Sequence, residues 1–134
     1  MRITTLRLLT GLALLCAGIS TTAQSDCTQW HLSGKFTFIR SDGRKLTVGL
    51  LRHGREISGD AYYYYKKHLY WGRLKGHIDD RNFDVTIAWQ PPRRDIYEGR
   101  IDAEGYLSGT TYEEDHPGDS STWHAQEQLH CASE

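Results

Sequence analysis

Hydrophobic and polar residues alternate along most of the chain, with a period of two residues. Residues 83–90 (FDVTIAWQ) show the pattern most clearly. A period of two is typical of a β-strand with one apolar face, because successive side chains point to opposite sides of a strand. The pattern predicts eight strands, built around residues 30–38, 46–50, 57–65, 69–78, 83–90, 97–101, 107–111 and 123–130.

Short polar turns separate most of these strands. Ser41-Asp42-Gly43-Arg44 contains the Asp-Gly pair that tight hairpins favour, and Pro91-Pro92 ends the fifth strand because proline cannot donate to a ladder. Only residues 113–121 form a longer polar loop. These features predict an all-β fold, an eight-stranded antiparallel up-and-down β-barrel, with a β-sandwich as the alternative. The barrel is favoured because consecutive strands can pair all the way round and leave no unprotected edge.

A tripeptide of an apolar residue, a polar residue and glycine recurs along the predicted strands. Glycine weakens a strand unless a bend or a close backbone approach requires it. Its repetition indicates a small, strongly coiled barrel, and the alternative is chance recurrence in a glycine-rich sequence. The four copies are Leu32-Ser33-Gly34, Ile57-Ser58-Gly59, Leu74-Lys75-Gly76 and Leu107-Ser108-Gly109.

The first 23 residues resemble a secretory signal peptide. We do not expect them to belong to the folded domain. Arg2 and Arg7 precede a short apolar run, and small residues up to Ala23 follow it. The run is shorter than the roughly 20 residues that span a bilayer, so we do not expect an integral membrane protein. We expect cleavage after Ala23 and a single domain over residues 24–134, in the periplasm or outside the cell. A lipid anchor at Cys16 is the alternative, although Leu15 is larger than the residue that such anchors favour.

The charge of the remaining domain argues against nucleic-acid binding. The full chain has 16 Lys and Arg residues and 17 Asp and Glu residues, and loss of Arg2 and Arg7 leaves a net charge of −3. Nucleic-acid binders need clustered positive charge. Lys66-Lys67 and Arg93-Arg94 are two basic pairs of residues 24–134, and we expect both to be solvated turns.

Two cysteines remain after cleavage, Cys27 and Cys131, one near each end of the domain. In an oxidising compartment such a pair predicts a disulfide that joins the termini. Neither a CxxC pair nor an HxxxH helix accompanies them, so no zinc site is predicted.

Four consecutive tyrosines precede the lysine pair, in the segment AYYYYKK of residues 61–67. Strand alternation directs Tyr63 and Tyr65 inward with Ile57, and it directs Tyr62 and Tyr64 outward. The inward pair is expected to be core. The outward pair, with Tyr70 and Trp71 across the hairpin, could form an exposed aromatic patch of the kind found at protein interfaces.

An exported domain with eight meandering strands resembles the calycin group, the lipocalin and avidin barrels. The most similar stretches are residues 83–90 (FDVTIAWQ) and 97–107 (YEGRIDAEGYL), since avidins have an apolar strand ending in tryptophan and then an aromatic-x-Gly strand. Gly34-Lys35-Phe36 stands where lipocalins carry Gly-x-Trp, and the residues that hold biotin in avidins have no counterpart here. The resemblance therefore implies a fold and no ligand.

No catalytic motif is evident, and we expect neither an enzyme nor a cofactor. A Gly-x-Ser-x-Gly elbow is absent, and proximity in sequence of three histidines to Ser120 and Ser121 does not make a triad. The acidic cluster of residues 113–119 lacks EF-hand spacing, so a solvated loop is preferred to a metal site.

Two binding functions remain. In the first, the barrel mouth holds a small, partly apolar ligand, lined by Trp30, Tyr63, Trp89, Tyr97 and Trp123. In the second, the protein binds and inhibits another exported protein, such as a lysozyme or another cell-wall-degrading enzyme, or confers immunity to it. Its contact surface would then contain Tyr62, Tyr64, Glu113, Glu114 and Asp115.

Overall fold

The computed structural model describes residues 11, 27, 29–90 and 92–132. The predicted signal peptide lies outside these residues except for Gly11. In the part described, no helix is long and apolar enough to cross a membrane. The secondary structure consists of eight strands: β1 (Gly34–Arg40), β2 (Lys45–His53), β3 (Glu56–Tyr65), β4 (His68–Asp79), β5 (Asn82–Gln90), β6 (Arg93–Ile101), β7 (Leu107–Glu113) and β8 (His116–Ala125).

Each strand pairs antiparallel with the next, and β8 pairs with β1, so the sheet closes into an up-and-down barrel. The predicted fold class is confirmed. The β1–β8 ladder is short and contains only Phe38↔Ala125, Ile39↔His124 and Arg40↔Trp123. Closure removes the unpaired strand edges that would otherwise be open to other chains.

The eighth strand differs from its predicted position. It begins at His116 and ends at Ala125, and a two-residue turn at Glu114 and Asp115 joins it to β7. The longer polar loop predicted over residues 113–121 is therefore wrong. The first half of β8 has no buried residue, so it lacks the apolar alternation by which a strand is recognised in a sequence.

Alternation along the strands fills the interior with apolar side chains. Aromatic rings occupy the centre, where Phe38 lies 4.5 Å from Trp123 and 5.9 Å from Tyr97 between ring centroids. Tyr63 is buried as predicted, but the prediction for Tyr65 is wrong, because its side chain is 51% exposed. Tyr65 is the last residue of β3 before the hairpin turn, three residues beyond the point where the ladder with β2 ends.

Glycines allow the strands to approach one another closely at three of the four copies of the recurring tripeptide, Gly59, Gly76 and Gly109, but not at Gly34. A Cβ atom on Gly76 would lie 1.9 Å from the carbonyl oxygen of Asp84, and one on Gly109 would lie 1.8 Å from that of Glu98. No side chain fits at such a distance. The two positions therefore let the wall of the barrel bend tightly.

The end of the barrel where β1 starts and β8 ends is closed by the terminal segments; we call it the base. Here Cys27 and Cys131 form the predicted disulfide, with a sequence separation of 104 residues. Trp30, expected at the start of the first strand, forms an isolated bridge with Cys131 instead. The backbone N–H of Leu129 donates to the carbonyl of Gly105 in the β6–β7 turn, so the C-terminal segment covers the base.

Replacing Gly76 with alanine should destabilise the fold strongly. Because the new methyl group would overlap the backbone of β5, we expect the free energy of unfolding to fall by about 3 kcal/mol. Gly49→Ala is the matched control, since a Cβ there would meet nothing within 4 Å, and it should change stability by less than about 1 kcal/mol. Urea unfolding of both variants tests this, and equal effects would contradict the close-approach argument.

Candidate functional site

The other end of the barrel, which we call the mouth, carries the β1–β2, β3–β4, β5–β6 and β7–β8 turns. A cleft of about 550 Å³ opens here. Its wall is polar, in contrast to the apolar interior below. The cleft is lined by Arg40, Arg44, Arg93, Asp95, Tyr112, Glu113, His116, Asp119, Ser120 and Ser121.

Asp95 anchors the floor of the cleft. Its side chain faces inward from β6 and the residue is only 4% exposed. Trp89 Nε1 donates to Asp95 Oδ2 at 2.8 Å, and Arg93 Nη2 donates to the same oxygen at 3.2 Å. A buried carboxylate needs such partners, because burial of an unpaired charge is costly. Trp89 and Arg93 therefore explain why an acidic residue is tolerated in phase with the core.

Arg93 is held between Asp95 and Tyr63. Its Nη2 also donates to the Tyr63 hydroxyl oxygen at 2.9 Å. Burial of the guanidinium acts to lower its pKa, but the hydrogen bond to Tyr63 and the charge of Asp95 outweigh burial, so the pKa of Arg93 is raised. The side chain is thus a fixed cation at the floor of the cleft.

A second guanidinium, that of Arg44, approaches the same tyrosine from the β1–β2 turn. Arg44 Cζ lies 4.6 Å from the centroid of the Tyr63 ring, and Tyr70 stacks on that ring at 4.9 Å with an interplanar angle of 8°. A cation above an aromatic face is attracted by the ring quadrupole. Arg44 has no ion pair among the described residues. It also lines an adjacent cleft of about 540 Å³ with Asp42, Gly43, Lys45, Tyr64 and Tyr65.

Three buried polar atoms close to the cleft have no hydrogen-bond partner within the described chain. They are Arg40 Nε, the hydroxyl of Tyr97 and Oγ1 of Thr111. Tyr97 pairs with Thr111 one inward position below the Asp95–Glu113 pair. Burial raises the pKa of Tyr97, the charge of Arg40 opposes the rise and that of Asp95 adds to it. The Tyr97 hydroxyl is near Arg40 and Thr111 but does not meet hydrogen-bond geometry with either.

The five aromatic residues predicted to line a ligand pocket are all buried in the core. Trp30 lies at the base, so the five do not form one lining. Tyr63 and Trp89 support the floor of the cleft from below, through Arg93 and Asp95. Tyr97 and Trp123 pack against each other at 5.5 Å between ring centroids. The structure thus places these residues under the mouth and at the base, as packing, and places charged residues in the cleft itself.

The residues predicted to contact a protein partner fall into two separate groups. Tyr62 and Tyr64 face outward from β3, as predicted, whereas Tyr70 stacks inward on Tyr63. Glu113, Glu114 and Asp115 belong to the β7–β8 hairpin, four strands away in the ring of eight and therefore on the opposite side of the mouth. Glu114 Oε2 is 3.1 Å from Arg94 Nε, and Glu113 Oε2 is 3.6 Å from His116 Nδ1. The two groups do not form one continuous surface.

Sequence reasoning missed the charged floor of the cleft, although a signal for it exists. Arg93 and Asp95 share the inward phase of Tyr97, and Arg40 shares that of Phe36 and Phe38. Charged residues in phase with an apolar alternation, at the end of a strand, indicate a polar barrel mouth. Arg93-Arg94 was expected to be a solvated turn, and only Arg94 is exposed.

Comparison of the chain with protein-family models, with curated proteins and with solved structures finds no match. The closed eight-stranded antiparallel barrel is consistent with the calycin-like fold that the sequence resembles. Among the described residues, no group of three or more His, Cys, Asp or Glu side chains is arranged to hold a metal ion.

Replacing Tyr97 with phenylalanine should stabilise the protein by about 1 kcal/mol below pH 9, because it removes a buried hydroxyl that lacks a partner. The effect should grow at alkaline pH. The unfolded chain releases the tyrosine proton above a pKa of about 10, whereas the folded chain, with its raised pKa, keeps it, so wild-type stability is lost as the pH rises.

The measurement is urea unfolding of both proteins at several pH values from neutral to alkaline. Above about pH 10 the wild type should lose up to about 1.4 kcal/mol per pH unit more than Tyr97→Phe. Parallel pH profiles would show that the hydroxyl is solvated or hydrogen-bonded. Tyr106→Phe serves as the control, since Tyr106 is exposed.

Proposed function

We propose that the protein is an exported, non-catalytic binding protein whose barrel mouth holds a small molecule with a carboxylate or phosphate group. The observation that carries this proposal is the set of three unpartnered buried polar atoms, on Arg40, Tyr97 and Thr111, next to an arginine-lined cleft. Buried polar groups in folded proteins almost always have a hydrogen-bond partner, so Arg40, the one of the three residues that lines the cleft, is a candidate to contact a ligand.

The arginines favour an anionic ligand. A guanidinium is planar, permanently charged and able to bind a carboxylate or phosphate with two parallel hydrogen bonds. Arg40 already has Asp42 at 2.9 Å and Arg93 has Asp95 at 3.2 Å, which leaves Arg44 as the cation of the cleft without an ion pair among the described residues. The raised pKa of Tyr97 keeps its hydroxyl protonated at neutral pH, in the buried layer behind the cleft lining.

The opposite wall of the cleft favours further polar groups on the ligand. Glu113 and Asp119 line it as acceptors, and Ser120 and Ser121 add hydroxyl groups. A volume of about 550 Å³ is within the range of small-molecule sites. The partly apolar ligand expected from the sequence would have relied on five aromatic side chains that are packed in the core. A polar, anionic molecule fits the cleft better.

We propose that the protein works in the periplasm or outside the cell. The disulfide is consistent with an oxidising compartment, where such bonds persist. The alternative, an inhibitor of another exported protein, is less well supported. Its candidate contact residues lie on opposite sides of the mouth, and two of the three acidic side chains already have cationic or histidine neighbours.

The first experiment is native mass spectrometry on oxidised protein recovered gently from cells that express the full chain. A retained mass of a few hundred daltons, the size that such a cleft holds, supports the proposal and identifies the ligand. Titration with inorganic phosphate and with citrate, followed by the shift in melting temperature, tests the anion preference directly. A ligand-free mass together with no shift from either probe would contradict the proposal, and a co-purifying protein would favour the inhibitor.

Arg44→Gln is the informative variant for the same titrations. It removes a charged donor that has no ion pair among the described residues, so affinity for the anion that shifts the wild type should fall about tenfold or more. Stability should change by only about 1 kcal/mol, the size of the lost contact with Tyr63. Arg100→Gln, an exposed position near the base, is the matched control and should leave affinity unchanged. Equal affinity of the two variants would exclude Arg44 from the site.

A further inference from the structure

The β3–β4 hairpin projects above the mouth. Its ladder continues to Tyr65↔His68, whereas β2 pairs with β3 only as far as Tyr62, and β5 pairs with β4 only as far as Trp71. Residues 63–70 therefore form a two-stranded ribbon that pairs with neither of the strands beside it. We refer to residues 62–71 as the ribbon.

The outward face of the ribbon is aromatic and exposed. The register places Tyr62 opposite Trp71 and Tyr64 opposite Leu69, so the four side chains form one continuous patch. Tyr64 is 68% exposed, Leu69 51% and Trp71 50%. Trp71 is the one exposed tryptophan of the chain, because Trp30, Trp89 and Trp123 are buried. A patch of this kind marks an interaction surface.

The ribbon and the rest of β4 carry a net positive charge, whereas the domain as a whole is negative. Residues 61–78 contain four Lys and Arg residues, Lys66, Lys67, Arg73 and Lys75, and no Asp or Glu. The range 24–134 as a whole carries 14 basic and 17 acidic residues, so the part outside this segment has a net charge of −7. Neither Lys66 nor Lys67 has an ion pair among the described residues. Lys66 Nζ lies 5.3 Å from the centroid of the Tyr65 ring, so the aromatic patch is bordered by positive charge that no carboxylate of the described residues neutralises.

The turn of the ribbon is strained. Lys66 has a backbone φ of 48° and Lys67 a φ of 65°. Both values lie in the left-handed region, which residues other than Gly, Asn and Asp rarely adopt. Two-residue hairpin turns of this geometry favour Asn-Gly. Strained residues are concentrated at functional sites. Folding alone therefore does not explain why two lysines occupy this turn.

We propose that the ribbon docks on the surface of an anionic lipid bilayer. Tyrosine and tryptophan are enriched at membrane–water interfaces, where the ring is in the headgroup region and its polar atom reaches water. Lysines beside them are attracted to anionic headgroups, and this attraction adds to the burial of the apolar ring surface. A protein partner fits less well, because lysine is depleted in protein–protein interfaces. This inference is independent of the ligand proposed for the mouth.

The test is co-sedimentation of the oxidised protein with vesicles of phosphatidylglycerol and phosphatidylcholine in equal parts. The double variant Lys66→Asn, Lys67→Gly removes both charges and supplies the residues that the turn favours, so it should fold at least as stably as the wild type. Its affinity for these vesicles should fall about thirtyfold, from the attraction that each lysine contributes near an anionic surface. Vesicles of phosphatidylcholine alone should bind the wild type weakly.

The matched control removes two cations at the base, Lys35→Gln and Arg100→Gln. These positions are exposed and lie at the other end of the strands, farther from the ribbon than the Debye length of about 10 Å, so affinity should change by less than about twofold. Equal losses in both double variants would indicate attraction of the whole protein and would overturn the assignment to the ribbon. Absence of binding to the anionic vesicles would overturn the proposal itself.

Tryptophan fluorescence gives a second readout. Because Trp71 is the exposed tryptophan, docking should shift the emission to shorter wavelength and make it sensitive to brominated lipid. Trp71→Phe should abolish both effects and leave the buried tryptophans as internal references. Sedimentation without any change in emission would show that the outer aromatic face does not enter the bilayer surface, which would contradict the proposed mode of docking.

Discussion

Closure of an eight-stranded sheet is the constraint on which the rest of this molecule depends. A barrel of this size has an interior that its own side chains can fill. Closure rests on only three residue pairs between β1 and β8, and contacts beyond the strands reinforce it. The Thr37 backbone N–H donates to Glu127 Oε2 at 2.7 Å, and the Cys27–Cys131 disulfide joins the terminal segments at the base. The base, where β1 starts and β8 ends, is therefore the sealed end of the barrel.

Filling of the interior explains why the candidate site lies at the mouth. The aromatic rings that could have lined a ligand pocket pack on one another. Arg40, Arg93 and Asp95, which are charged and in phase with the core, lie near the strand ends at the mouth. Asp95 and Arg93 can be buried there because the rings carry polar atoms, the Trp89 indole N–H and the Tyr63 hydroxyl, that complete their hydrogen bonds. The core thus both excludes a ligand and positions the charged side chains that could bind one.

Much of the fold could be predicted from the sequence, because eight alternating strands joined by short turns can pair in few ways. The barrel, the disulfide and the outward direction of Tyr62 and Tyr64 followed from local patterns. The start of β8 did not, since residues 116–122 are polar on both faces and are held by pairing with β7 rather than by burial. For this reason the sequence pattern places the start of the eighth strand at residue 123, whereas β8 begins at His116. For the same reason the sequence predicts a polar loop where the structure has the acidic β7–β8 hairpin.

The candidate site was harder to predict, because phase alone does not say where along a strand the core ends. Trp30 shares the apolar alternation of the first predicted strand, which gave no sign of which end of the barrel it occupies. It lies at the base, where it forms a bridge with Cys131, and not at the mouth. Tyr65 has the inward phase and is exposed, because the ladders of β2 and β5 end before it. Both differences arise from the stagger of neighbouring strands, which a sequence read one strand at a time does not contain.

The stagger also determines how the two proposed surfaces could work together. The basic ribbon of β3–β4 and the acidic hairpin of β7–β8 are four strands apart, so positive and negative charge face each other across the mouth. An anionic bilayer would attract the first and repel the second. The barrel would then rest on the ribbon with its acidic side turned away, and the cleft would open beside the surface and not against it. Docking in this orientation leaves the mouth accessible to a soluble anionic ligand, because the repelled hairpin keeps that rim in water.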